Sequence, residues 1–132
     1  MEVKVMKNVL AMNDEAAAEN AELFQRDRVF VLNLMGSPGA GKTTLLERTL
    51  QALKDEMRIA VIEGDLFTSK DAERIDRLGV PVVQINTSGG CHLDAPMVKS
   101  ALSSLDLDSL DMLIIENVGN LVCPAEFALG ED

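Results

Sequence analysis

The stretch Gly36-Ser37-Pro38-Gly39-Ala40-Gly41-Lys42-Thr43 constrains the fold of this chain more than any other part of its sequence. It matches G-x-x-x-x-G-K-[ST] in full. Before it, residues 29–35 (VFVLNLM) form a short apolar run rich in β-branched side chains, the pattern of a buried strand. After it, Leu45, Leu46, Leu50, Leu53 and Met57 recur at helical spacing over residues 42–57. Strand, glycine loop and helix in that order separate the motif from a chance glycine-rich turn. The glycines let the backbone curl so that successive N–H groups face inward around phosphate oxygens. The following helix turns its positive end toward the same anion. Lys42 supplies a mobile cation for the β- and γ-phosphates, and Thr43 offers a hydroxyl to magnesium. Thr44 beside it completes the candidate phosphate-contacting set.

The rest of the chain repeats the alternation. Residues 58–65 (RIAVIEGD) read as a second strand. Thr68 or Ser69 caps a helix that stops at Gly79. Residues 81–86 (PVVQIN) read as a third strand, entered through Pro81. Asp94 stands as the N-cap of a helix with Pro96 in its first turn and Met97, Val98, Ala101, Leu102 and Leu105 on one face. Residues 111–117 (DMLIIEN) read as a fourth strand. Nearly all-apolar strands alternating with helices predict an α/β fold: a doubly wound, mainly parallel sheet covered on both faces. Ahead of it, Val9, Met12, Ala16, Ala17 and Leu23 suggest an amphipathic helix over residues 9–24. One domain is expected over 1–132, with a helical N-terminal segment (1–27) and a core (28–132). Sheets of this kind usually have five or more strands, so the domain is expected to be incomplete at its C-terminus.

Composition narrows the function classes. No apolar run approaches the roughly 20 residues of a spanning helix, and residues 1–24 mix charges where a signal peptide would be uninterruptedly apolar. A cytoplasmic protein with no membrane contact is expected. A formal net charge of −10 argues against wrapping nucleic acid, which needs a basic surface. It leaves room for an enclosed nucleotide site, where backbone amides dominate.

Two carboxylates fall at predicted strand ends on the phosphate-loop edge: Asp65 in IEGD and Glu116 in LIIEN. Glu116 occupies the place of the acid that helps hold magnesium, although aspartate is more usual there. A solvated strand-end charge or a helix cap is the alternative for each. Asp65 is also the candidate for positioning the attacking water. On the same edge, Cys91 and His92, the chain's only histidine, follow the third strand on a loop opened by Gly89 and Gly90. Cys123, the second of two cysteines, lies just past the fourth strand. Two thiolates and an imidazole suit zinc or nickel, with water or a second copy completing the set. Two buried cysteines with a hydrogen-bonded loop histidine, or a nucleophilic cysteine, remain open on spacing alone.

Taken together, GSPGAGKTTLLE, VIEGDLFTSKDAERI, QINTSGGCHLDA and IIENVGNLVCPAEFALGED resemble the hydrogenase nickel-incorporation GTPases of the HypB family. That family lies in the signal-recognition/MinD-like (SIMIBI) class of P-loop proteins. The resemblance implies a GTP- and GDP-binding, GTP-hydrolysing metallochaperone that dimerises on GTP binding. It implies that nickel is delivered to the hydrogenase large subunit with the small nickel chaperone HypA. It also implies that Cys91, His92 and Cys123 bind nickel or zinc near the dimer interface. Three features depart from the pattern: there is no N-K-x-D guanine-selecting stretch, no cysteine precedes Cys91, and no histidine-rich tract is present. A P-loop small-molecule kinase and a non-catalytic metal-binding or dimerisation module are the competing readings.

Overall fold

The computed structural model describes residues 2–65 and 69–132. Four strands, β1 (Phe30–Leu34), β2 (Ile59–Asp65), β3 (Val82–Asn86) and β4 (Met112–Glu116), form one sheet in the order β1-β4-β2-β3. Every pairing is parallel. The helices are α1 (Glu2–Asp27), α2 (Lys42–Leu53), α3 (Lys70–Asp76), α4 (Ala95–Leu102) and the short α5 (Cys123–Glu126). The alternating reading therefore holds, with each predicted strand found within two residues of its expected ends. Ser69 precedes α3 without a side-chain capping bond, and Thr68 lies outside the described residues. Asp94 caps α4 as expected, its Oδ1 accepting from Met97 N at 2.9 Å.

Strand period two sorts the core into two layers. Val31, Ala60, Ile62, Leu113 and Ile115 face α1 and α4, packing with Phe24, Leu93, Val98 and Leu102. Ile59, Val61 and Ile114 face α2 and α3, packing with Leu46, Leu50 and Ile75. Truncating a side chain such as Leu50, which is fully buried, to alanine costs about 2–5 kcal/mol.

Two expectations need correction. β1 lies at the sheet edge, and its Phe30 and Leu32 are 48% and 43% exposed, so the strand is buried on one face only. The chain's last residues meet its free edge: Asp132 N donates to Val31 O at 3.0 Å, and Asn33 Nδ2 donates to Glu131 Oε2 at 2.8 Å. The second correction concerns α1, which is longer than expected and keeps only part of the expected stripe inside: Ala17 is buried and Leu23 packs partly buried on the core. Met12 is 66% exposed, while Asn13, Ala17, Asn20 and Phe24 are buried; the Val9 side chain lies outside the described ones. The asparagines go inside because they satisfy backbone groups there. Asn13 accepts from Ala95 N at 2.7 Å and donates to Ala128 O at 2.8 Å. Asn20 donates to Ala95 O and Leu129 O. Gly130 packs so closely on α1 that a Cβ there would stand 2.7 Å from Ala17 O.

Candidate functional site

The phosphate loop leaves β1 and enters α2 through two left-handed glycines, Gly39 (φ 75°) and Gly41 (φ 94°). Ala40 N donates to Ser37 O at 3.1 Å, closing the turn. The first turn of α2 has no side-chain cap and no acidic residue, so its N–H groups and the helix dipole face the loop uncompensated. Lys42 Nζ donates to the carbonyls of Gly36 and Ser37 at 3.1 and 3.4 Å. Gly36 lies tight against the Lys42 stem, since a Cβ would sit 3.1 Å from Lys42 Cγ. The loop opens onto a cleft of ≈ 460 Å³, which Pro38 and Gly39 also line. Lys42, Thr43, Thr44, Asp65, Asp71 and Glu116 line it as well.

Acidic residues gather beneath the loop. Thr43 Oγ1 donates to Glu116 Oε1 at 2.6 Å. The pairing of β2 with β4 puts Glu63 directly opposite Glu116, and Asp71 arrives from the first turn of α3. Ligand oxygens of Glu63, Asp71 and Glu116 lie within 4.8 Å of one another. Glu63 and Glu116 are 1% and 3% exposed, and each keeps one buried oxygen without a protein partner. Burial first, then the hydrogen bond to Glu116 and its charge, pushes the Glu63 carboxyl up to about 11. Asp71 is also raised, chiefly by burial and then by Glu116, against the hydrogen bond from Thr43. Clustered carboxylates with orphaned oxygens beside a threonine hydroxyl fit a hard divalent cation such as magnesium. Asp65 lines the same cleft but lies outside this trio. Sequence reading missed Glu63 and Asp71. The signal for Glu63 was its place two residues before Asp65, hence on the same strand face.

The second group lies on the same sheet edge. Beyond β3, Ser88 (φ 54°) and Gly89 (φ 93°) turn the chain, and Thr87 Oγ1 donates to Gly90 O at 2.8 Å. Cys123 opens α5, just beyond β4. The turn lets the neighbours Cys91 and His92 point the same way, with Cys91 Sγ 3.6 Å from His92 Nδ1. Ligand atoms of Cys91, His92 and Cys123 all lie within 4.8 Å of one another, and each residue is half-buried. His92 stacks on Phe127, ring centroids 4.0 Å apart and planes 16° from parallel. The Cys123 thiol is raised, first by its hydrogen bond with Cys91, then by burial and the Cys91 charge; Asn120 opposes this. Two thiols and a ring nitrogen at this spacing fit a soft or borderline metal such as zinc or nickel with an open position.

Residues 30–131 match the nucleotide-binding domain of the CobW/HypB/UreG family. The chain belongs to that family. It is 55% identical over 129 residues to hydrogenase maturation factor HypB of Rhizobium leguminosarum bv. viciae, covering 98% of this chain and 43% of that one. It is 53% identical over 131 residues to its counterpart in Escherichia coli strain K12, covering 99% and 44%. The chain thus spans less than half the length of these two curated relatives. Among solved structures, HypB from Helicobacter pylori in complex with nickel matches with a TM-score of 0.84 and 48% identity, over 91% of this chain and 57% of that one. The signal recognition particle receptor FtsY of Elizabethkingia anophelis shares the fold alone, with a TM-score of 0.51 at 23% identity over 83% and 38% of the two chains. The fold is that of the SIMIBI-class P-loop proteins, as the sequence resemblance implied. No helix among the described residues is long and apolar enough to cross a membrane.

Proposed function

We propose that the protein is a GTP-hydrolysing nickel metallochaperone of hydrogenase maturation, whose nucleotide state governs a nickel site on the same edge of the sheet. The observation that carries this reading is the convergence of Cys91, His92 and Cys123, with ligand atoms within 4.8 Å, on the rim that holds the phosphate loop. The names of its relatives, hydrogenase maturation factors and a nickel-complexed HypB, support hydrogenase and nickel over other targets. GTP, rather than ATP, is carried over from the same resemblance.

In this reading the amides of residues 36–41 and the start of α2 bind the phosphates, and Lys42 releases its loop carbonyls to reach them. Thr43, Glu116 and Asp65 hold magnesium, with Glu63 and Asp71 beside them. Magnesium, when bound, offsets the charge on the phosphate oxygens. Asp65 positions the attacking water at the cleft rim. Nickel is cargo, taken by Cys91, His92 and Cys123, and zinc competes for the same donors. Three protein ligands leave room for exchange with the nickel chaperone HypA and delivery to the hydrogenase large subunit. Leu121 and Val122, 58% and 68% exposed immediately before Cys123, supply an apolar surface for a GTP-dependent homodimer over the metal loop.

The test pairs phosphate release with metal titration. Wild-type chain is expected to release phosphate from GTP in preference to ATP, dependent on magnesium and lost in Lys42→Ala. Nickel and zinc are expected to bind the wild type and to be lost in Cys91→Ala. Normal nickel binding in Cys91→Ala, or phosphate transfer from ATP to a small acceptor, would overturn the reading.

A further inference from the structure

We propose that Asn117 and Asn120 are positioning residues that tie the two metal-ligand loops to the nucleotide cleft through one short segment, residues 117–120. The proposal rests on the reading above and names the parts by which nucleotide state reaches the metal donors.

The segment begins where β4 ends, directly after Glu116, and Asn117, Val118 and Gly119 all line the cleft. Asn117 is 1% exposed, and its bonds are all directional. Its backbone N donates to Leu34 O, the last residue of β1 before the phosphate loop. Its Nδ2 donates to Asn33 Oδ1 at 3.1 Å. Its Oδ1 accepts from Val118 N and, at 3.1 Å, from Leu93 N, the residue after His92. Two backbone donors fix which end of the amide is oxygen.

Asn120 repeats the arrangement for the other loop. Its backbone forms an antiparallel bridge with Gly36, the first residue of the phosphate motif. Its Oδ1 accepts from Val122 N at 2.8 Å and Cys123 N at 3.3 Å. Between the two asparagines, Gly119 lies tightly against Pro38; a Cβ would stand 3.1 Å from Pro38 Cα and Cγ. One four-residue segment thus touches the phosphate loop at Gly36 and Pro38, and grips His92 through Leu93 and Cys123 through its own amide. Closely packed contacts of this kind transmit a shift without slack, and both ligand loops hang from the element that the phosphate loop abuts. The coupling therefore has a physical carrier, as coupling between sites requires.

The experiment measures zinc and nickel affinity of the full chain with magnesium–GDP and with a magnesium-bound non-hydrolysable GTP analogue. Cys123 alkylation rates are followed in parallel without added metal. Wild type is expected to differ between the two nucleotides by about 5- to 150-fold in metal affinity, the usual range for coupled sites. Asn120→Ala is expected to bring that ratio and the ratio of alkylation rates close to one, while still binding both nucleotides. Asn120→Asp keeps the accepting oxygen and is expected to retain the wild-type ratio. A ratio in Asn120→Ala equal to that of wild type overturns the proposal and leaves the function intact. Equal loss of metal affinity with both nucleotides, its ratio kept, also overturns it, because Asn120 would then only support the loop. A wild-type ratio of one would instead remove the nucleotide-linked reading on which the proposal stands. Asn120 is half-buried, so its variants avoid the folding risk of changing Asn117.

Discussion

Two donor groups sit on one sheet edge, each with ligand atoms within 4.8 Å of one another, and they differ in almost everything else. Glu63, Asp71 and Glu116 offer hard oxygens, two of the three from adjacent parallel strands and buried to 3% exposure or less. Cys91, His92 and Cys123 offer sulfur and nitrogen from two loops, all half-buried and flanked by the exposed Leu121 and Val122. The two glutamates of the first group are held by strand register, which side-chain motion does not disturb. The second group is held by Asx-type bonds and one ring stack, which a shift of a few tenths of an ångström would change. A buried, register-fixed oxygen site suits a cation that stays with the nucleotide. A half-open sulfur site suits a metal that must leave.

Separating the groups by mutation gives the largest expected effect first. Cys91→Ala or Cys123→Ala is expected to lower nickel and zinc affinity by more than the roughly 10- to 100-fold that loss of an outer-shell partner costs. Magnesium-dependent nucleotide binding, measured by fluorescent-nucleotide displacement, is expected to stay. Glu116→Gln reverses the pattern: magnesium-dependent turnover is expected to fall by at least the roughly 10- to 100-fold of an outer-shell loss, with nickel affinity little changed. Loss of both functions in either variant would merge the two groups into one site.

Gly64→Ala probes the spacing between them. Its Cβ would stand 2.8 Å from Leu93 Cδ1 and Cγ, inside the core and next to His92. Overpacking of about 1–3 kcal/mol in chemical denaturation is expected, with a larger loss of nickel than of nucleotide affinity. An equal loss of both would show that Leu93 does not belong to the metal side. The smallest effect concerns pH. Glu63 keeps its proton far more tightly folded than unfolded, so the folded chain carries the extra proton between pH 4.5 and about 11. Stability therefore falls as pH rises through that window. Glu63→Gln removes the titrating group, and in chelator at pH 8–9 it is expected to raise the melting temperature and flatten the decline. A slope identical to wild type would place the proton elsewhere.

What the sequence made legible follows the same division. The phosphate loop is contiguous, so its residues, the flanking strand and helix, and the Asp94 cap could be read directly. Glu63 and Asp71 could not, because their meeting with Glu116 depends on strand register and on where α3 begins, neither of which leaves a local mark. The thiols and the imidazole were visible as residue types that two loops on one edge could bring together, and the resemblance favoured a metal site over buried or nucleophilic cysteines. Phe127 and the asparagines at 13, 20, 117 and 120 were missed because hydrophobic periodicity treats a buried amide as a surface residue. The converse error appears at Leu45, expected on the buried stripe of α2 and 57% exposed.

X-ray absorption at the nickel and zinc edges of the metal-loaded chain tests most directly whether two thiols and one imidazole share a single ion. Two sulfur scatterers, at about 2.3 Å for zinc, with a nitrogen near 2.0–2.1 Å, are expected; one sulfur should vanish in each cysteine variant. A shell of nitrogen and oxygen alone, unchanged by Cys91→Ala and Cys123→Ala, would contradict the metal site and the nucleotide link built upon it.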